Sequence, residues 1–173
     1  MAVEIRRERP EDTEAVFALV EAAFGDRSVA EFAQRIRASA GYVPELAFVA
    51  DEDGEIVGHT MLNYVAIENH ERRLLNLTPM SVRPDRQRRG IGIALVRTAV
   101  AAADERGEPL VLVEGVPDYY PRFGFRSATA LGLERPDERI PDEAWLALPL
   151  RAFDPKLRGR VIYPSFFPSP PNT

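Results

Sequence analysis

Between Met80 and Ala94 the chain reads Met-Ser-Val-Arg-Pro-Asp-Arg-Gln-Arg-Arg-Gly-Ile-Gly-Ile-Ala, where a run of strand formers gives way to a helical pattern through an arginine-rich bend. The chemistry such a bend can do is anion binding. A helix amino terminus offers amides with no intrahelical acceptor and a partial positive charge, and Gly90 and Gly92 let a phosphate approach the backbone closely. Arg83, Arg86, Arg88 and Arg89 concentrate positive charge in an otherwise acidic chain, which suits a ligand carrying several phosphates. The plain alternative is a solvated basic patch in front of a helix. A nucleotidase phosphate loop needs Gly-Lys-Ser or Gly-Lys-Thr, and a dinucleotide fold wants a third glycine where Leu95 stands, so neither reading fits.

The remaining pattern is Gln or Arg, two residues, Gly, one residue, then Gly or Ala. Gln87-Arg88-Arg89-Gly90-Ile91-Gly92 matches it, and with the preceding Val82-Arg83-Pro84 the sequence resembles the GNAT superfamily of N-acetyltransferases. The resemblance implies a mixed, mostly antiparallel central sheet flanked by helices, an α/β (α+β) fold with a βαβ cofactor-binding unit. It implies an enzyme that moves an acetyl group from acetyl-CoA to an amine by direct attack on the thioester. By the same resemblance, Gln87, Arg88, Arg89, Gly90, Ile91 and Gly92 hold the coenzyme A pyrophosphate, and the backbone of Met80, Ser81 and Val82 runs beside the pantetheine arm. Tyr119-Tyr120-Pro121-Arg122-Phe123-Gly124-Phe125 looks like the family's aromatic-Tyr motif ending in Gly-Phe. The role carried over falls on Tyr120, which would give a proton or hydrogen bond to the departing thiolate. The match runs from about Val3 to Leu133 and leaves Pro136 to Thr173 unexplained.

Amide formation requires a neutral amine, and an alkylammonium of pKa about 10.4 is deprotonated in only about one molecule in a thousand at neutral pH. A base or water chain is therefore expected. Glu114, ending a strand pattern, is the first candidate, with a solvated strand-end charge as the ordinary alternative. His59 in Gly58-His59-Thr60 reads as a satisfied strand histidine and His70 as an exposed turn residue, although either titrates in a useful range. A backbone amide near Val82 is the natural holder of the oxyanion. If the base is missing, the alternative is a catalytically weak acyl-CoA-binding sensor or interaction module.

The elements that must position these residues follow from periodicity and punctuation. Val3 to Arg7 reads as a strand, and Pro10 with Glu11 and Asp12 starts a helix whose apolar face is Val16, Leu19, Val20 and Phe24. Ser28 is expected to cap a second helix, with Val29, Phe32 and Ile36 on one side and Gly41 at its end. Leu46 to Ala50 and Ile56 to Ile67 form a hairpin through Asp53-Gly54. Leu74 to Val82 is a third antiparallel strand stopped by Pro84, a helix runs from about Gly90 to Arg106, and Leu110 to Val113 is a strand buried on both faces. A short helix at Asp118 to Arg122 precedes strand-like stretches at Phe123 to Leu133, Trp145 to Leu150 and Val161 to Tyr163. The fourth and fifth strands, Leu74 to Val82 and Leu110 to Glu114, are expected to splay as the family's do. The proline tail Pro164 to Thr173 reads as extended, with Phe166 and Phe167 docked on the body.

Composition bounds the partners. One GNAT-like acyltransferase domain over 173 residues, with 136–173 a C-terminal extension, is the expected organisation, and 45% hydrophobic content suffices for a core. With 27 acidic against 22 basic residues the net charge of -5 repels polyanions, so nucleic acid is not an expected partner. The chain has no cysteine and two isolated histidines, which argues against disulfides, thiolate chemistry and a metal site. The amino terminus lacks the apolar core of a secretory signal, and no apolar run is long enough to span a bilayer; a cytoplasmic location without membrane association is expected. The acceptor is an amine on a small molecule or a protein, and Glu68, Glu71 and Glu114 favour a cationic one. A homodimer is compatible with the Trp145 strand and the Phe166-Phe167 tail.

Overall fold

The computed structural model describes residues 2–170; Met1 and the last three residues of the proline tail, 171–173, lie outside the described residues. In chain order the elements are β1 (Val3–Arg7), α1 (Thr13–Phe24), α2 (Arg27–Arg37), β2 (Tyr42–Glu52), β3 (Glu55–Ile67), β4 (Leu74–Val82), α3 (Ile91–Glu105), β5 (Leu110–Glu114), β6 (Arg126–Ser127), β7 (Leu133–Glu134), β8 (Trp145–Pro149) and β9 (Gly159–Ile162). Strand order is β1-β2-β3-β4-β5-β8-β6, with β9 beside β3 and β7. Most of the pairings are antiparallel and helices flank the sheet, as the α/β reading requires. The chain forms two compact units: residues up to Asn63 with Thr78–Ala102, and Tyr64–Leu77 with the chain from Ala103 onward. No described helix is long and apolar enough to cross a membrane.

In the first unit β1 and β3 flank β2, both antiparallel to it. The β2–β3 turn places Asp53 and Gly54 at φ 53° and 92°, which is why a compact polar residue and glycine stand there. Side chains alternate across a strand. Val49 joins Val16, Val20 and Ala30 in a cluster with α1 and α2, while Gly58, opposite Ala50, faces α3. A Cβ at Gly58 would lie 2.9 Å from Leu95 Cδ1 and 3.0 Å from Ile91 Cγ2. The missing side chain thus lets the first turns of α3 pack directly on β3.

The cap of α2 differs from expectation: Asp26 is the N-cap, its Oδ1 accepting from the Ser28 amide at 2.8 Å, and Ser28 lies inside the helix. The buried positions are Ala30, Ala33 and Ile36, with Val29 and Phe32 half-buried, and α2 ends at Arg37, short of Gly41.

In the second unit the first half of β4 runs parallel to β5, the chain between them having passed through α3 to make a βαβ connection, and β8 adds antiparallel to β5. The β4–β5 ladder pairs Leu75 with Val111 and Asn76 with Leu112, and β4 runs on to Val82 beyond it. Leu110 to Val113 are all buried, as a strand covered on both faces must be. The core gathers Leu74, Leu110, Leu112, Ala147 and Val161 around Trp145, whose Nε1 donates to Leu133 O at 2.9 Å. Phe167 packs against this cluster, so the described tail is anchored to its own unit at that residue, with Phe166 edge-on to Phe167. The stretch from Phe123 to Leu133 is not one strand. Gly124 and Gly132, at φ 99° and 87°, end two 3-10 turns on either side of the two-residue β6, because left-handed glycines turn the chain out of any ladder.

Candidate active site

In the first unit, β4 hands the chain to α3 through a bend fixed at both ends. The Arg83 amide donates to Val57 O at 2.8 Å, which commits that donor and removes it as an oxyanion ligand. Pro84–Arg86 makes one 3-10 turn, and Gln87 Nε2 reaches back to Val82 O at 3.1 Å. Arg88 and Gly90 then take left-handed conformations, φ 62° and 82°, which turn the backbone twice before the helix starts. The first α3 bond is Ala94 N to Gly90 O at 3.0 Å, so the amides of Ile91, Gly92 and Ile93 precede the intrahelical ladder. A Cβ at Gly90 would meet nothing within 4 Å, and the backbone there faces open space. Beside it runs a groove of about 320 Å³ lined by Val3, Ile5, Glu52, Arg89, Gly90, Ile91 and Ala94.

The four arginines divide into two pairs. Arg83 is held by Asp85 at 2.6 Å and Glu55 at 3.1 Å, and Arg86 by Glu52 at 2.7 Å and Asp85 at 2.8 Å. Asp85, hydrogen-bonded by Arg83, has its pKa pulled below the usual carboxylate range. These two arginines brace the bend rather than offer charge to a ligand. Arg88 and Arg89 are exposed and form no ion pair among the described residues. The uncommitted positive charge therefore lies at the two positions adjoining the open amides. Met80 and Val82 are half-buried, and Ser81, at 2% exposure, buries an Oγ with no hydrogen-bond partner.

The second unit holds the other candidates. After β5, Glu114 and Gly115 lead into a turn in which the Tyr119 amide donates to Val116 O at 3.1 Å, followed by the 3-10 segment Tyr120–Phe123. The Tyr120 ring lies against Gly115, where a Cβ would sit 2.3 Å from its Cε2, and contacts Tyr119, Phe123 and Phe125. Glycine at 115 is what admits the ring. Burial raises the Tyr120 pKa, first by loss of water around the phenol and then through Tyr119. Its hydroxyl makes no hydrogen bond among the described residues, so a protonated, uncommitted donor stands at this turn. Glu114 is exposed as a residue, yet neighbouring side chains strip water from its carboxylate and raise its pKa. Its Oε2 accepts from Tyr163 Oη at 3.3 Å, which opposes the rise.

Glu114 and Tyr120 are thus brought to one turn on either side of Gly115, and Met80 to Gly92 are brought together at the other unit's bend. His59 is fully buried, its Nε2 3.1 Å from Glu8 Oε2, in a network that also joins Arg37 to Glu8; it is a strand histidine inside the core. His70 lies near Arg158 O at 3.2 Å on the surface. Glu68 and Glu71 are exposed in the β3–β4 turn. Tyr163 is the residue that sequence reasoning missed. The stretch Val161 to Tyr163 drew attention as a strand, but nothing local links its hydroxyl to a carboxylate 49 positions earlier.

The Acetyltransferase (GNAT) domain model matches residues 4–128. The uncharacterized N-acetyltransferase YhbS of Escherichia coli (strain K12) is 28% identical over 126 residues, 72% of this chain and 74% of that protein. The crystal structure of the GNAT family N-acetyltransferase YhbS from Escherichia coli, in complex with CoA, superimposes with a TM-score of 0.85 at 24% identity. That superposition covers 93% of this chain and 89% of the other. A GNAT family acetyltransferase from Brucella melitensis, crystallised with acetyl-CoA, gives a TM-score of 0.78 at 30% identity over 95% of this chain and 97% of its own. A bend of this construction, in a chain matched by the domain model over most of its length, has one reading: the chain belongs to the GNAT acetyltransferase family.

Proposed function

We propose that the chain transfers the acetyl group of acetyl-CoA to the nitrogen of an amine, by direct attack on the thioester within a single acyltransferase domain. The observation that carries this is the bend before α3, where amides ahead of the helical ladder stand beside two uncommitted arginines. Its support is the 30% identity to an acetyltransferase crystallised with acetyl-CoA. Gln87, Arg88, Arg89, Gly90, Ile91 and Gly92 hold the pyrophosphate, and Met80, Ser81 and Val82 provide the strand edge beside the pantetheine arm. The open space at Gly90 suits a close phosphate.

Acetyl-CoA supplies the activated acyl group, and the remaining tasks belong to side chains. Glu114 accepts a proton from the acceptor ammonium, freeing the nitrogen lone pair to attack. A carboxylate whose pKa is raised is better matched to that task than an ordinary one. Tyr120 hydrogen-bonds to the departing sulfur. With its pKa raised above a reference of about 10, it is a far weaker acid than a thiol of about 8.5, so hydrogen-bond donation is favoured over full proton transfer. The acceptor is a cationic amine on a small molecule or a protein, and the location is cytoplasmic. Incubation with acetyl-CoA and a broad amine panel, following free thiol, is expected to give acceptor-dependent release. Binding of acetyl-CoA with no such release would leave a sensor module in place of the enzyme.

A further inference from the structure

The C-terminal segment reaches the end of β5 through one side-chain hydrogen bond, Tyr163 Oη to Glu114 Oε2 at 3.3 Å. The phenol is fixed before it makes that bond. Its ring stands edge-on to Trp145 at 6.3 Å and lies 4.6 Å from Phe167, which the Phe167 N to Pro164 O turn folds back over it. Trp145 is fully buried and is also the backbone partner of Glu114 in the β5–β8 ladder, so the acceptor and the ring against which the donor packs belong to the same strand pair. Among the described residues Glu114 Oε1 accepts nothing and the carboxylate has no cationic partner. A strand-end glutamate that served only solubility would need no phenol, held against a buried tryptophan, on one oxygen.

We propose that Tyr163 is a positioning residue for Glu114, tethering Oε2 so that Oε1 is presented to the acceptor ammonium. The inference rests on Glu114 being the base. In the step, an N–H bond of the ammonium breaks, its electron pair stays on nitrogen and an Oε1–H bond forms; solvent later takes that proton. The groups acting on the carboxylate are Tyr163 from the C-terminal segment and the charge of Asp137 from the β7–β8 loop, itself held by Arg139 at 2.7 Å. The β8 strand presents the neutral Trp145. Tyr163 stabilises the charged form of Glu114, whereas Asp137 and desolvation oppose it.

The experiment compares wild type, Tyr163→Phe and Glu114→Gln in two readouts. The first is the pH titration of the Glu114 side-chain carboxyl carbon by NMR, which needs no substrate. Loss of one hydrogen bond to the carboxylate is expected to raise its midpoint in Tyr163→Phe by about half to one pH unit. The second is the pH profile of thiol release with the best acceptor of the amine panel. The acid limb of kcat/KM should move to higher pH by the same amount and kcat should fall, with KM for acetyl-CoA unchanged. An unmoved NMR midpoint, or an unmoved acid limb alongside an inactive Glu114→Gln, overturns the role of Tyr163 and leaves Glu114 as base. Full activity of Glu114→Gln overturns the base itself and the tether with it. A far-UV circular dichroism spectrum and a melting transition of Tyr163→Phe matching wild type show that any shift arises in the folded protein.

Discussion

Tyr120 is a weaker acid in this protein than in water, because its ring is enclosed by Tyr119, Phe123 and Phe125 and seated on Gly115. In the proposed reaction it therefore acts by hydrogen bonding to a charge that develops on sulfur, an interaction stronger in the transition state than in the ground state. A hydrogen bond to a charged group corresponds to a loss of about 10- to 100-fold in kcat for Tyr120→Phe. Steady-state kinetics should show that loss with acetyl-CoA affinity preserved; equal turnover would remove Tyr120 from the chemistry. The turn that carries Tyr120 was legible because its motif is local and includes Gly124, which takes a left-handed φ of 99°. The opposite holds for Arg83 and Arg86, whose carboxylates Glu52 and Glu55 arrive from the β2–β3 hairpin, so sequence alone counted as ligand charge what the fold uses internally.

The element that matters most is α3, and what holds its amino end against the sheet is an absence of side chain at Gly58. Filling that position forces Leu95 and Ile91 outward, since a Cβ there already approaches both at 3.0 Å or less. Gly58→Val should destabilise by about 1–3 kcal/mol through overpacking and lower the melting temperature by about 3–10 °C. Acetyl-CoA affinity should fall as well, because the same turns carry the amides; a melting temperature and an affinity both unchanged would contradict this packing account. Elements of this kind were readable from punctuation. Asp53-Gly54 announces the hairpin because both positions need positive φ. The α2 cap was misread by two residues because Asp26 and Ser28 are equally good capping types and only the direction of the Asp26 side chain decides. The stretch after Phe123 was misread because strand-forming residue types outweighed two glycines.

Over the whole molecule the net charge is -5, and the family fold buries within it a histidine that the proposed chemistry does not use. Burial lowers the His59 pKa below its ordinary value of about 6.5, and the neighbouring Glu8 carboxylate only partly opposes this. The unfolded chain therefore takes up a proton at higher pH than the native one. The contribution of His59 to stability is complete above about pH 6.5 and is lost as pH drops below it, with a limiting slope of about 1.4 kcal/mol per pH unit. Asp12, whose pKa is lowered chiefly by Arg6, contributes in a separate window, losing its share only as pH falls below about 4. Thermal melts at pH 7.5 and 5.5 should show a drop in wild type that is smaller in His59→Gln; equal drops would assign the acid sensitivity elsewhere.

In the proposed reaction, main-chain amides at the start of α3 receive the diphosphate of coenzyme A. Amide NMR of the protein titrated with CoA observes those donors individually. The Gly90, Ile91, Gly92 and Ile93 resonances are expected to move together and saturate with a single affinity, and inorganic pyrophosphate in excess should move the same set. CoA binding that leaves these four amides still while perturbing others, or no binding at millimolar CoA, would contradict the account.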